Sequence, residues 1–443
     1  MTEHSLSRRS LLRAAPPLAV LGAVGTGCAK STVEGTPTFG LTALPTTPSP
    51  TPTTSPSPEH VELALWLVGF TGQQQSTIQN AVNSFSAKNS DITVTTTTID
   101  YATFLPKLQT SVASGRPPDV LQYWPDATYI RQGFFGAVDD LIGSVRSDYL
   151  PGTLENVTFK NQVYGVPVSN QVSFLAYRKS VLSQAHLEPP GSLDDLVAAA
   201  RKLTNSDRKG INLDITPANI GIGGPILWSA GADYLTDDHE PGFTTDRARA
   251  AISRLQHMVS DDSIVATAAP GDLDPFLTGA VAMQWVNNTQ LSQLSAKFGN
   301  DLGLLPFPRL DGAGAASVAV FTTSLVLGAR SEHADQASKL ISALGVENGA
   351  YLNSLNFTTG QLAVPPRRSI ASSASQLRHG AGQSLLTLAQ KYGRADGRPD
   401  WTGAMVSAYW EALRKIISNH ADPKATLDQA AQTVRTQLKQ IYR

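Results

Sequence analysis

The run Tyr123-Trp124-Pro125-Asp126 sets two aromatic rings beside a carboxylate, directly after the apolar Val120-Leu121-Gln122. A ring face is a flat apolar platform and an ionised carboxylate accepts hydrogen bonds, which together complement a solute whose flat apolar face is ringed by hydroxyls. A saccharide is such a solute. Trp401 stands in the polar stretch Gly397-Arg398-Pro399-Asp400, just before a helical pattern, a poor place to bury a large ring without a purpose. Phe70 and Gln73 occupy the loop after the first strand, where the aromatic serves either to cap a core or to meet a ligand. Trp285, with Asn287 and Asn288, follows Gly279–Met283, and strand alternation turns either Trp285 or Val286 to the core. Trp228 precedes Ser229-Ala230-Gly231 in a helix-like run and suits packing or binding alike. The loops carrying these candidates hold Asp126 and almost no Lys or Arg. That disfavours phosphate, sulfate or a free amino acid, which ask for an opposite charge, and suits a neutral ligand.

Other chemistries lack their residues. The 8 histidines are scattered, with no H-E-x-x-H and no pair at metal spacing, so no metal is expected. The serine-hydrolase elbow G-x-S-x-G is absent, because Leu227 stands where Ser229 would need a glycine. Gly221-Ile222-Gly223-Gly224-Pro225-Ile226 lacks the last glycine of the dinucleotide fingerprint, and no G-x-x-x-x-G-K-[ST] occurs, so no cofactor is expected either. A glycoside hydrolase would need two carboxylates flanking a bond, and Asp126 has no evident partner in the sequence. With 35 Lys and Arg against 36 Asp and Glu, the chain lacks the basic excess of a nucleic-acid binder.

The elements that must position these residues are legible as periodicity. Val61-Glu62-Leu63-Ala64-Leu65-Trp66-Leu67 is a strand ended by Gly69-Phe70-Thr71-Gly72. Ile78, Ala81, Val82 and Phe85 form one face of a helix from about Ser76 to Ala87, followed by a Thr/Val-rich strand over Ile92–Thr98. A second helix carries Phe104, Leu105, Leu108 and Val112 on one face, and Asp119–Gln122 is the next strand. Strand, helix, strand, helix, strand predicts an α/β fold with a parallel sheet. Further strands are predicted over Val172–Tyr177, Met283–Val286 and Ser324–Leu327, with a helix capped by Ser192 and Asp195. Two helices close the chain, one bearing Met405, Tyr409, Leu413, Ile416 and Ile417, the other opened by Asp422-Pro423.

The chain has one cysteine, Cys28, and a lone cysteine makes no intrachain disulfide. It follows Ser7-Arg8-Arg9-Ser10-Leu11-Leu12-Arg13 and an uncharged stretch to Gly27, which resembles a twin-arginine export signal running into a lipoprotein attachment site. The apolar run is too short for the roughly 20 residues of a membrane span. Residues 1–27 are thus expected to be a signal peptide and Cys28 the lipidated first residue of the mature chain, although Gly25 stands where lipoprotein signals usually carry Leu or Val. In residues 31–58, 20 of 28 are Ser, Thr or Pro, so residues 28–58 are expected to be a solvated, extended linker without a core. Residues 59–443 are more than a single hydrophobic core usually holds, and two lobes are the default.

From Val61 on, the landmarks resemble the extracellular solute-binding proteins of bacterial ABC importers, in particular the sugar-binding group that includes maltose-binding protein. They are Leu63-Ala64-Leu65-Trp66, Ala113-Ser114-Gly115-Arg116-Pro117-Pro118-Asp119-Val120, Tyr164-Gly165-Val166-Pro167-Val168 with Leu175–Lys179, Phe276–Met283 and the crossing Ser317–Thr322. The resemblance implies two α/β lobes with ligand in the cleft between them, a type II binding-protein fold. Residues 59–168 with 322–367 are expected to form one lobe, and 169–321 with 368–443 the other. It also places Asn170 and Gln171 at the end of the first crossing and Phe321 in the second, where ligand contacts fall, and matches Tyr123 and Asp126 to a sugar-contacting aromatic and acid. The implied protein is a monomeric, non-enzymatic lipoprotein on the extracellular face of the membrane. It would capture a neutral sugar or oligosaccharide for membrane permeases; a surface glycoside hydrolase and a binding lipoprotein that feeds a sensor are the alternatives.

Overall fold

The computed structural model describes residues 60–443 apart from 71, 214–220, 261, 266–273 and 359–361. The expected signal peptide, Cys28 and nearly all of the linker lie outside the described residues. Among the described residues no helix is long and apolar enough to cross a membrane.

In chain order the described strands are β1 (Val61–Val68), β2 (Ile92–Ile99), β3 (Val120–Tyr123), β4 (Phe135–Gly136), β5 (Thr158–Phe159), β6 (Gln162–Val163) and β7 (Val166–Arg178). Next come β8 (Lys209–Asn212), β9 (Ile264–Val265), β10 (Val281–Asn287), β11 (Leu302–Leu305), β12 (Val318–Gly328) and β13 (Gly393–Ala395). All but β5 and β6 join one sheet, whose main path is β2-β1-β3-β12-β7-β10-β8-β9.

Alternation makes β1 as predicted: Leu63, Leu65 and Leu67 are fully buried while Glu62 faces solvent. The helix Gln73–Lys88 buries Ile78, Ala81, Val82 and Phe85, the predicted face, and packs on the same core as β1. Ser192 accepts from the Asp195 N–H at 3.1 Å and Asp195 accepts from the Ser192 N–H at 3.0 Å, so the capping box closes both ways.

The sheet is mixed, where the element order had predicted a parallel one. Strands β1, β2 and β3 run parallel, as do β10, β8 and β9, but β12 and β7 between them are antiparallel to each other and to their outer neighbours. The cause is the route of the chain. Strand β7, at 13 residues, leads out of the β1 half into the β10 half, and the 11 residues of β12 return. The predicted strand Val172–Tyr177 is only the distal part of β7, so Asn170 and Gln171 sit inside a strand and not at its end. Their cross-strand partners are Thr322 and Phe321, and the register shifts between Thr323 and Ser324. These two continuous strands join the two lobes of the fold.

Candidate ligand-binding site

The order β2-β1-β3 sets three loops side by side at one edge, because parallel strands all end on the same side. After β1 comes Phe70, whose carbonyl accepts from Gln75 Nε2 at 2.7 Å. After β2 comes Tyr101, and after β3 Trp124. The Trp124 ring stacks on buried Tyr123 with centroids 4.0 Å apart and planes 22° apart, meets the edge of Phe321 at 5.2 Å, and lies 5.6 Å from Tyr101. Three rings thus surround the indole, which also lines the adjoining cavity.

The opposite wall is built after β13, which pairs with β12 at Val318–Val320. Asp396 N–H donates to the Val320 carbonyl at 3.0 Å and Gly397 N–H to Asn156 Oδ1 at 2.6 Å. Gly397 is required here, since a Cβ would fall 2.6 Å from the Phe321 ring. The chain then turns through Trp401 into the helix Gly403–Asn419. Ala127 N–H donates to the Pro399 carbonyl at 2.9 Å, which ties this segment to the loop after β3.

Between the walls lies a cavity of about 840 Å³, inside the range of ligand pockets. Trp124, Asp126 and Phe321 line one side; Asp396, Arg398 and Trp401 face them, and Trp410, Glu411 and Arg414 extend the wall along the helix. Trp401 is only 6 % exposed, stacked 4.6 Å from Tyr234, yet it reaches the cavity, and Trp410 both packs in the core and contributes to the wall.

Asp126 accepts the Thr128 N–H at 2.7 Å, capping the short helix Ala127–Arg131. Burial pushes its carboxyl up, and hydrogen bonds from Thr128 and the Gly403 backbone pull it back. Asp396 is more affected: burial raises it to about 7, against the lowering effect of the Tyr234 hydroxyl, which donates to it at 2.6 Å, while Asp233 pushes it further up.

The cavity is not cation-free, as the loops had suggested. Arg398 and Arg414 both line it, but each is held by a carboxylate through two hydrogen bonds: Arg398 by Asp400 at 3.1 and 2.8 Å, Arg414 by Glu411 at 3.0 and 2.8 Å. Nor is Asp126 the lone acid, since Asp396 and Glu411 share the wall.

Of the other predicted residues the fold brings few to this cavity. Trp285 is buried at 1 % exposure against Phe307, and Val286 beside it is buried too, because β10 is covered on both faces. Trp228 is buried, donates to Asp233 at 2.9 Å and lies under the Arg394 guanidinium at 4.7 Å. Asn170 is buried between Thr153 and Thr322, and Asn287 Oδ1 accepts from Thr289 in a tight turn. Gln171 is half-buried beside Phe321 in β12. Gln73 is exposed on a separate surface cavity with Asn353 and Thr358. Sequence reasoning missed Asp396, Arg398, Glu411 and Arg414, which lie far from β3 in the chain and carry no motif.

Two lobes joined by crossing strands, with a cavity where loops from strand ends meet, define the class of two-lobe solute-binding proteins. Residues 71–346 match the bacterial extracellular solute-binding protein family, and the chain belongs to it. A galactooligosaccharide-binding protein of Bacillus subtilis is 21 % identical over 393 residues, 85 % of this chain and 90 % of that one. Among solved structures, the sugar-binding protein MalE of Xanthomonas citri aligns with TM-score 0.72 at 18 % identity, over 86 % of this chain and 98 % of that one. An ABC substrate-binding protein of Listeria monocytogenes in complex with cycloalternan aligns with TM-score 0.68 at 17 % identity, over 86 % and 100 %.

Proposed function

We propose that this chain captures a neutral saccharide in the cavity between Trp124 and Trp401 and delivers it, unaltered, to the permeases of an ABC importer. The observation that carries the reading is Trp124 in the wall of a cavity whose two arginines are both already held by carboxylates. A sugar ring packs on an indole, whereas an anion finds no unengaged cation there. Asp126, and Asp396 held near neutrality, are the hydroxyl partners in this reading. The relatives named for galacto-oligosaccharide and bound to cycloalternan support the class. The lobes are proposed as residues 59–168 with 322–367 and 169–321 with 368–443, which the Asn170–Thr322 pairing supports, and the protein as a monomer tethered outside the cell through Cys28.

Calorimetry of the purified chain against galacto-, malto- and manno-oligosaccharides, with product analysis after incubation, tests this. Binding without bond cleavage is expected, and Trp124→Ala should weaken it by about tenfold or more. Cleavage of the bound sugar, or tight binding confined to anions or charged amino acids, overturns the reading.

A further inference from the structure

The two arginines of the cavity wall are held by partners that differ in burial. The side chains of Arg414 and Glu411 are 42 % and 47 % exposed, so water and salt screen that pair. The Asp400 side chain is only 8 % exposed, and it takes one whole edge of Arg398, Nε on one carboxylate oxygen at 3.1 Å and Nη2 on the other at 2.8 Å. Asp400 does not itself line the cavity, whereas Arg398 does. A further bond to Asp400 comes from 42 residues along the chain: the Tyr442 hydroxyl donates to Oδ2 at 3.0 Å. Tyr442 ends the helix Pro423–Tyr442, and its ring stacks on His239 with centroids 3.8 Å apart. Arg131 Nη1 donates to the carbonyls on either side of it, those of Ile441 at 2.6 Å and Arg443 at 3.1 Å. The carboxylate behind Arg398 is therefore fixed from two directions.

From this geometry we infer that Asp400, seated by Tyr442, sets the charge selectivity of the cavity: it occupies the edge of Arg398 that the carboxylate of an acidic saccharide would otherwise take, and so turns acidic sugars away. The inference rests on the saccharide reading and adds to it the residue that rejects acids. Asp400 and Tyr442 are positioning residues, since both act through Arg398. Asparagine at 400 keeps an oxygen for a donor but removes the charge, which leaves the guanidinium short of an anion.

The test measures Kd by calorimetry for maltotriose, galactotriose and mannotriose, each beside two acids made from it, one oxidised at the reducing end and one at a primary hydroxyl. Thermal unfolding checks that each variant folds. The parent chain is expected to bind its neutral sugar about tenfold or more tightly than either acid. Asp400→Asn should shift that ratio toward an acid by about tenfold or more, and added salt should reverse the gain. Tyr442→Phe keeps the ring and removes the hydroxyl, so it should shift the ratio the same way by about two- to threefold, and it decides the matter if Asp400→Asn does not fold. Adding Arg398→Gln should abolish either shift, which a general loosening of the wall would not require. Equal affinity of the parent for acid and neutral sugar, a ratio unmoved in the deciding variant, or a shift that survives Arg398→Gln overturns the inference and leaves saccharide binding in place. A parent chain that binds only the acids, or none of these sugars, overturns both readings.

Discussion

At Asp396, desolvation outweighs the ordinary acidity of a carboxyl. The charged form is penalised by burial and by Asp233, and the hydrogen bond from Tyr234 offsets this only in part, so the group titrates at about 7. In the unfolded chain the same carboxyl titrates near 3.9. Between those values the folded protein keeps a proton that the unfolded chain has lost, and stability falls as pH rises through the window, levelling above it. Asp396→Asn keeps an oxygen for the Tyr234 hydroxyl and removes the titration. Chemical denaturation at pH 4.5 and pH 8 should show the loss of stability on raising pH to be smaller in the variant, by on the order of 1 to 4 kcal/mol. An unchanged difference between the two pH values would show that Asp396 ionises as readily folded as unfolded.

At the scale of elements, the middle of the β7 and β12 pair is knitted by buried amides and hydroxyls. Asn156 Nδ2 donates to the Gly152 and Val320 carbonyls at 2.6 and 2.8 Å, and its oxygen takes the Gly397 N–H, so one side chain fixes the crossing strand and the start of the Asp396–Trp401 wall. Asn170 donates to Thr153 and accepts from Thr322, each at 2.8 Å. Removing one partner strands the rest without water. Asn156→Ala is therefore expected to lower stability by about 2 to 4 kcal/mol. The same variant should weaken saccharide binding because the Gly397 turn loses its anchor. A stability loss with affinity intact would confine Asn156 to the strands. The part of Asn156 was not legible in the sequence: it sits in Pro151-Gly152-Thr153-Leu154-Glu155-Asn156, which has no period and no motif. The amphipathic helices were legible, because their apolar spacing is local and their burial follows from it.

At the scale of the whole molecule, a folded domain at the end of a Ser/Thr/Pro-rich tether should bind its solute whether or not the tether is anchored. Cys28→Ser is expected to move the protein from the membrane fraction to the medium with its affinity unchanged, which fractionation and calorimetry would measure. Identical partitioning of variant and parent would rule out Cys28 as the anchor, and mass spectrometry of the mature N-terminus would show where the signal is cut. The strand, helix, strand, helix, strand order of the first half and the capping of the helices at Ser192 and Asp422 were determined by the sequence itself. Each is a property of neighbours along the chain. What only the tertiary structure decided is which aromatic faces a cavity and which fills a core. Trp285 and Trp228 are buried because elements distant in sequence close over them, while Trp124 and Trp401 line a cavity because the loop after β3 and the segment before the helix Gly403–Asn419 meet there. Likewise Asp396, Arg398 and Arg414 reach the loop after β3 only because β13 adds to β12 at the junction of the lobes, and no local pattern encodes a contact across more than two hundred residues.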